Sequence, residues 1–261
     1  MKKTNLKINI LAIFLIVLMG ILITPKAFQN DTYYTIAIGE HIVENGIDMK
    51  DPFSWHKNLK YTYPHWAYDL GTYLIYSVFG FQGIYFATIF LTIILGLTMY
   101  FCNANLNKNR FLSLGFTILA LYFLRDFIAA RAQLFTFILF ILEVFFIEKY
   151  LETRKKRYGT ALIIIPIILA NAHLAVFPFY FVLYLPYIGE WLVYYLLRVK
   201  LIINTYKIQK LYRKAENTED TLKLNLIKKK LDQIEEKNSK EENFLSKPAY
   251  KIEIRRNNNI K

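Results

Sequence analysis

Hydrophobic residues run along this chain in blocks rather than at an even spacing. The first block, residues 6–24, holds one charge, Lys7, at its edge. At 1.5 Å per residue it reaches about 28 Å, close to the roughly 30 Å hydrocarbon core of a bilayer. Five more blocks follow at 82–102, 111–124, 134–150, 160–177 and 179–197. Together they predict an all-α polytopic membrane protein, with about six transmembrane helices in a domain spanning residues 1–197. The block at 111–124 is the shortest, so it must borrow from Asn109-Arg110 or Arg125-Asp126 or cross with little tilt.

Between the first two blocks lies a polar stretch, residues 25–81, too long to be a turn. Tyr34, Ala37, Ile38, His41 and Ile42 recur at three- and four-residue spacing. They predict a helix over 31–45, started by an Asp31-Thr32 N-cap and stopped at Gly46. A second amphipathic helix is predicted over 65–80, with Trp66, Leu70, Tyr73, Leu74 and Phe79 on it and Asp69 one turn from Trp66. Its aromatic content and single acid suit a position at the membrane interface.

After Leu197 the composition changes. Residues 198–261 hold 17 Lys and Arg against 9 Asp and Glu, a net of +8 out of the chain's +13. Apolar positions at Ile203, Ile208 and Leu211, then at Leu224, Ile227, Leu231 and Ile234, predict two amphipathic helices broken around 216–219. This basic helical tail suits anionic lipid headgroups, each nearby Lys or Arg contributing about 1 kcal/mol. No groove motif of interleaved aromatic and basic residues accompanies the charge, so membrane lipid is the expected partner and no nucleic acid.

Charge also orients the blocks, because short cytoplasmic loops collect Lys and Arg. Lys2 and Lys3 precede the first block and Lys7 sits at its leading edge. Strict alternation then puts Lys108 and Arg110, the run Arg154-Lys155-Lys156-Arg157 and the tail on that same side. The expectation is a multi-pass cell-membrane protein with its N-terminus and C-terminal tail in the cytoplasm and residues 25–81 outside. Arg125 and Arg131, on either side of Asp126, break the rule and need another reason for their place.

The 261 residues are 55% hydrophobic and 17% aromatic, and mean hydropathy is +0.25 despite 33 Lys and Arg. A cleaved signal peptide competes for the first block. Its apolar region exceeds the usual length of about 7–15 residues and no small-x-small site precedes Asp31, which favours an uncleaved anchor. The single cysteine, Cys102, excludes an internal disulfide. No zinc-type Cys/His spacing, phosphate-binding glycine loop or serine nucleophile motif is present.

The run Asp31-x-x-Tyr34-x-Ile36-x-x-Gly39-x-x-Ile42 continues with Gly46, Asp51-Pro52-Phe53-Ser54-Trp55 and His65-Trp66. With the later Arg131-x-Gln133-Leu134-Phe135-Thr136 and Asn171-x-His173, it resembles bacterial polytopic membrane glycosyltransferases of the GT-C type, the class that uses dolichyl- or polyprenyl-phosphate sugars. The resemblance covers residues 1–197. Two positions depart from it: Ala132 stands where similar proteins usually have Pro, and Trp66 is followed by Ala67 where a motif nearer Glu-Trp-Leu is expected. The resemblance implies an inverting transfer from a polyprenyl-phosphate-linked sugar to an acceptor at the outer face of the membrane. It also implies an acid early in the first external loop, acting as general base or helping to bind a divalent metal; the matching position is Asp31. Similar proteins carry several more spans, so the resemblance further implies an N-terminal piece of a larger transferase, with another apolar helix able to begin near Asn257–Lys261.

Each candidate has a plainer reading beside the chemical one. A base at Asp31 would contribute about 10²–10⁴-fold, whereas an N-cap at Asp31 would contribute about 1 kcal/mol of stability. Arg131 and Arg125 can clamp the leaving phosphate, or snorkel to headgroups, with Arg125 paired to Asp126. His173 and Asn171 fall in or near an apolar block, where a polar side chain is costly without a partner, and so read as substrate-binding. His65 and Trp66, with Trp55, can hold a sugar ring, yet aromatic and His side chains are expected at a membrane surface. Asp51 and Asp69 read as surface caps or solvated acids rather than metal or substrate ligands. The alternative to a transferase is a non-catalytic membrane scaffold or transporter subunit, or an inactive fragment.

Overall fold

Most of the apolar blocks lie within single helices, and the polar stretches become the ends and crossings that carry the chemistry. The computed structural model describes residues 2–56 and 59–245, with side chains described for 6–56 and 59–243. The sequence end near Asn257–Lys261, where a further helix was expected, lies outside the described residues. The described residues form α1 (Lys2–Ile23), α2 (Asn30–Asn45), α3 (Trp66–Asn107), α4 (Arg110–Leu124), α5 (Ala132–Thr153), α6 (Lys156–Ala172), α7 (Phe177–Val182), α8 (Leu185–Glu216) and α9 (Thr221–Leu245). Short 3₁₀ turns at Arg125–Phe127 and Leu174–Val176 precede α5 and α7. The chain is all-α: among the described residues there is no strand, only an isolated bridge between Lys50 and Lys60.

Among the described residues three helical runs are long and apolar enough to cross a membrane: Leu6–Ile23, Trp66–Asn107 and Leu174–Glu216. The other expected spans, at α4, α5 and α6, do not meet that measure of length and composition. Helix α4 is 15 residues, about 22 Å. Helix α6 is 17 residues with Pro166 inside it. Helix α5 is long enough at 22 residues but carries Glu143, Glu148, Lys149 and Glu152.

Residues 1–181 and 182–261 form two compact units. In the first, α3 is the central helix, packed by α1, α2, α4, α5 and α6. Its inner core comprises Leu95, Leu121, Ile128, Leu134 and Ile138, with a second cluster of Ala12, Ile16, Tyr100 and Leu114. Buried threonines such as Thr88 and Thr117 bond back to the carbonyl four residues earlier, Ile84 and Ser113, both at 2.8 Å, so these hydroxyls are satisfied within their own helices. Phe14, Phe86, Phe90, Phe111 and Ile163 instead point outward. Large apolar side chains on the outside suit a hydrocarbon surround.

Helix α3 contains a break. Gly80 has φ 62° and ψ −158°, a conformation open to glycine at little cost. The segment before it is the amphipathic helix expected over 65–80, and the segment after it contains the apolar block 82–102. Helix α2 ends as predicted at Gly46 (φ 74°), whose N–H bonds to Ile42 O at 2.9 Å. Its start corrects the sequence reading. The N-cap is Gln29, whose carbonyl accepts from Thr32 N at 2.9 Å, and Asp31 lies inside the first turn with its carboxylate turned elsewhere. Asp31 is therefore not the cap.

The second unit is dominated by a helical hairpin. The composition change at Leu197–Arg198 falls inside the unbroken α8, and the chain turns at 217–220, close to the expected break. Asp220 Oδ1 accepts from Leu222 N at 3.0 Å at the start of α9. Asn204 donates to Asn238 at 2.8 Å and Tyr212 to Glu235 at 3.1 Å across the pair.

Candidate functional site

The residues singled out above sit at helix ends, and the first unit gathers those ends. Asp31 is in the first turn of α2, His65 immediately precedes α3, Arg131 immediately precedes α5, and His173 immediately follows α6. Two backbone ties set their positions. Leu174 N–H donates to Pro64 O at 2.6 Å, which fastens the end of α6 to the start of α3. The Thr32 hydroxyl donates to Ala130 O at 3.2 Å, which fastens the start of α2 to the loop before α5.

These ends enclose a polar cavity of about 350 Å³ lined by Asp31, Tyr34, Thr35, His65, Arg131, Ala132, Gln133 and His173. Arg131 forms an ion pair with Asp31, and its guanidinium also donates to Gln29 Oε1 at 3.3 Å. Both members of the ion pair are about half exposed, so it is accessible to solvent and to a ligand. His65 Nδ1 lies 2.6 and 2.7 Å from the two oxygens of Asp69, whose side chain is 0% exposed. This corrects the reading of Asp69 as a surface acid: helix α2 covers it, with Gly39 lying directly against the Asp69 carbonyl. His173 Nδ1 lies 2.8 Å from Thr136 Oγ1, and the His65 and His173 ring centroids are 6.3 Å apart at 75°.

Next to the polar cavity along the chain's lining residues is an apolar one of about 650 Å³. Its walls include Trp66, Ile75, Ile84, Leu91, Ala130, Phe135, Ile168, Asn171 and Ala172. Trp66 Nε1–H donates to Asn171 Oδ1 at 3.0 Å, and Asn171 donates to Ile167 O at 2.7 Å, so the Trp66 and Asn171 side chains are both satisfied. The two cavities are lined by neighbouring residues at three places: 65 and 66, 130 and 131, and 171–173.

Not every expected residue takes part. Arg125 does not line either cavity; its guanidinium lies 4.6 Å from the Tyr122 ring and Nε is 3.6 Å from Asp126, which leaves it a local surface cation. Trp55 is 88% exposed and lines neither cavity. Asp51 accepts from Phe53 N at 2.9 Å and so caps its own loop. That loop is further held by Asp48, whose Oδ1 accepts from the Tyr63 hydroxyl at 2.7 Å and from Lys50 N at 3.1 Å. The Tyr63 hydrogen bond, ahead of the Lys50 amide and His41, lowers the Asp48 carboxyl below its ordinary value. Sequence reasoning overlooked Thr35 and Gln133 as lining residues, and it overlooked the His65–Asp69 pair, for which a four-residue helical spacing was the available signal.

The donor set does not fit a divalent metal at Asp31. Among the described residues no three His, Cys, Asp or Glu side chains come together as ligands, and the Asp31 carboxylate faces a guanidinium that a cation would have to displace.

No family model, no curated protein and no solved structure matches this chain.

Proposed function

We propose that the chain is a membrane glycosyltransferase of the GT-C type, or the donor-binding part of one, which transfers a sugar from a polyprenyl-phosphate donor to an acceptor at the outer face of the membrane. The observation that carries the reading is the pair of adjoining cavities: a polar one with a cationic Arg131 and two histidines, and an apolar one next to it. An amphiphile with a phosphate head and a hydrocarbon tail has that division of chemistry. Both volumes lie within the roughly 300–1,000 Å³ of small-molecule sites.

In this reading six segments cross the membrane: α1, the part of α3 after Gly80, α4, α5, α6 and the apolar run at 179–197. The N-terminus and basic tail lie in the cytoplasm, and the polar cavity lies at the outer headgroup boundary. In this reading Arg131 keeps its ion pair with Asp31 and turns its remaining N–H groups to the donor phosphate, where its charge opposes the charge that develops as the sugar departs. The acceptor hydroxyl must lose a proton as its bond to sugar forms, and Asp31 and His65 both line the cavity where that proton would be taken.

The test is reconstitution in liposomes with radiolabelled polyprenyl-phosphate-mannose and an alkyl glycoside acceptor. Wild type is expected to bind the donor and release labelled glycoside, and Arg131→Ala to bind the donor about tenfold or more weakly while still inserting in the membrane. Donor binding no greater than that of protein-free liposomes would end the reading.

A further inference from the structure

The proton acceptor in the polar cavity can be named from its geometry. Three groups compete. Asp31 is held by Arg131, so its carboxylate already faces a cation. His173 has its Nδ1 on the Thr136 hydroxyl; that hydroxyl also bonds to Ala132 O at 3.1 Å and is a neutral partner that cannot offset the charge of an imidazolium. His65 is different. Its Nδ1 is shared between the two oxygens of a fully buried carboxylate, while its Nε2 has no hydrogen-bond partner among the described residues and its side chain lines the cavity.

We infer that His65 is the general base of the site and Asp69 the positioning residue that orients it. This rests on the reading above that the polar cavity receives a sugar donor. With Nδ1–H directed at Asp69, the imidazole is fixed in the tautomer that leaves the Nε2 lone pair open to the cavity. Asp69 then faces the positive charge that His65 acquires on taking a proton, the arrangement by which a buried carboxylate supports an imidazole base. The step balances. The acceptor hydroxyl gives its proton to His65 Nε2 and its oxygen bonds to the anomeric carbon. The bond from that carbon to the phosphate oxygen breaks, and the electron pair leaves on polyprenyl phosphate, held by Arg131.

The pair is also placed where the fold protects it. Asp69 N–H bonds to His65 O at 2.9 Å, so the two residues span one turn. The backbone bond between Leu174 and Pro64 anchors the residue before His65. Helix α2 packs over Asp69 and keeps water from it.

The experiment has two arms. In the first, histidine-labelled full-length protein in nanodiscs is read by ¹⁵N NMR, with His65→Gln used to assign the His65 signals. The expectation is a protonated Nδ1 with a strongly downfield proton and an unprotonated Nε2; Asp69→Asn removes the downfield proton. An Nε2-protonated tautomer in wild type would overturn the inference whether or not transfer is observed. In the second arm, transfer from polyprenyl-phosphate-mannose is compared in wild type and His65→Ala. The variant is expected to lose about 10²–10⁴-fold in kcat, to keep its donor affinity, and to regain part of its rate with added imidazole, which a purely structural role would not allow. If wild type transfers and His65→Ala matches it, the base assignment alone falls. If wild type binds no donor, the reading of the cavity falls with it, and the tautomer measurement still decides whether the pair is built as described.

Discussion

Replacing Gly39 by Ala should unseat α2 from α3. A Cβ added at Gly39 would lie 2.3 Å from the Asp69 carbonyl oxygen and 2.5 Å from Tyr73 Cβ, whereas real Cβ contacts essentially never fall below 3.0 Å. The closest contact is with backbone, so no side chain can rotate out of the way. The helices must separate by at least 0.7 Å at that point, the difference between 3.0 and 2.3 Å. Overpacking of this kind costs about 1–3 kcal/mol, and the better helix propensity of Ala returns at most about 1 kcal/mol. Because the clash is with backbone, the cost falls at the upper end of that range, and the net loss of about 2 kcal/mol corresponds to a fall in Tm of about 4–8 °C for a unit of this size.

The single cysteine makes the measurement direct. Cys102 is buried, so a thiol-reactive fluorophore reports its exposure as detergent-solubilised protein is heated. Gly115→Ala is the matched control: it makes the same exchange within a helix at a place where nothing lies within 4 Å of the new Cβ, and it should melt at or slightly above wild type. The shift at Gly39 also displaces the cover over Asp69, and misplacement of about 1 Å can cost 10²-fold in rate, so transfer should fall by about tenfold or more. A Gly39→Ala protein that melts with wild type or above it would refute the close approach of the two helices.

Arg131→Ala should change stability by less than about 1 kcal/mol, since its ion pair with Asp31 is half exposed. It should weaken undecaprenyl phosphate binding in nanodiscs by about tenfold or more, the value of a charged hydrogen bond; unchanged binding would remove Arg131 from the phosphate site. Glu143 is 0% exposed and neither carboxyl oxygen has a partner among the described residues. Glu143→Leu should therefore stabilise the fold by about 1–3 kcal/mol, and a lower melting temperature in the same thiol assay would count against a stranded carboxyl. The loop held by Asp48 should depend on pH. Its carboxyl is lowered in the folded state, so its stabilising effect is complete above the ordinary carboxylate value of 3.8 and is lost as pH falls through the lowered value. The protection of the Lys50 amide against hydrogen exchange, relative to its intrinsic rate, should fall in that acid window in wild type, and Asp48→Asn should abolish the dependence.

The apolar blocks announced the helices well, because a run of uncharged residues bounded by polar ones leaves few other structures for a chain in contact with lipid. The tail hairpin was readable for a related reason: apolar periodicity at Ile203–Leu211 and Leu224–Ile234 stops on either side of 217–220. Crossing number was harder to read, since α4, α5 and α6 each carry something that composition alone underweights: shortness, acidic residues or a proline. The site was half readable. Asp31, Arg131, His65 and His173 could be named from residue type and motif, but that they share one cavity depends on ties such as Leu174 to Pro64 and Thr32 to Ala130, which join residues about a hundred positions apart. Asp69 was misread for the same reason. It is buried where α2 packs on α3, with Gly39 against the Asp69 carbonyl, and nothing within a few residues of Asp69 signals that packing. The cap at Gln29 was missed because its carbonyl rather than its side chain meets Thr32.

Arg131 and Ala130 are consecutive, as are His65 and Trp66, while Asn171 and Ala172 run directly into His173; in each case one compartment's lining hands over to the other's within a residue or two. The head and tail of an amphiphilic guest would thus be gripped by the same rigid stretches of backbone. A substitution at Trp66, Ala130, Asn171 or Ala172 that widened the greasy compartment would therefore shift the backbone that presents the charged one, whereas changes at Ile75 or Leu91 would leave it in place.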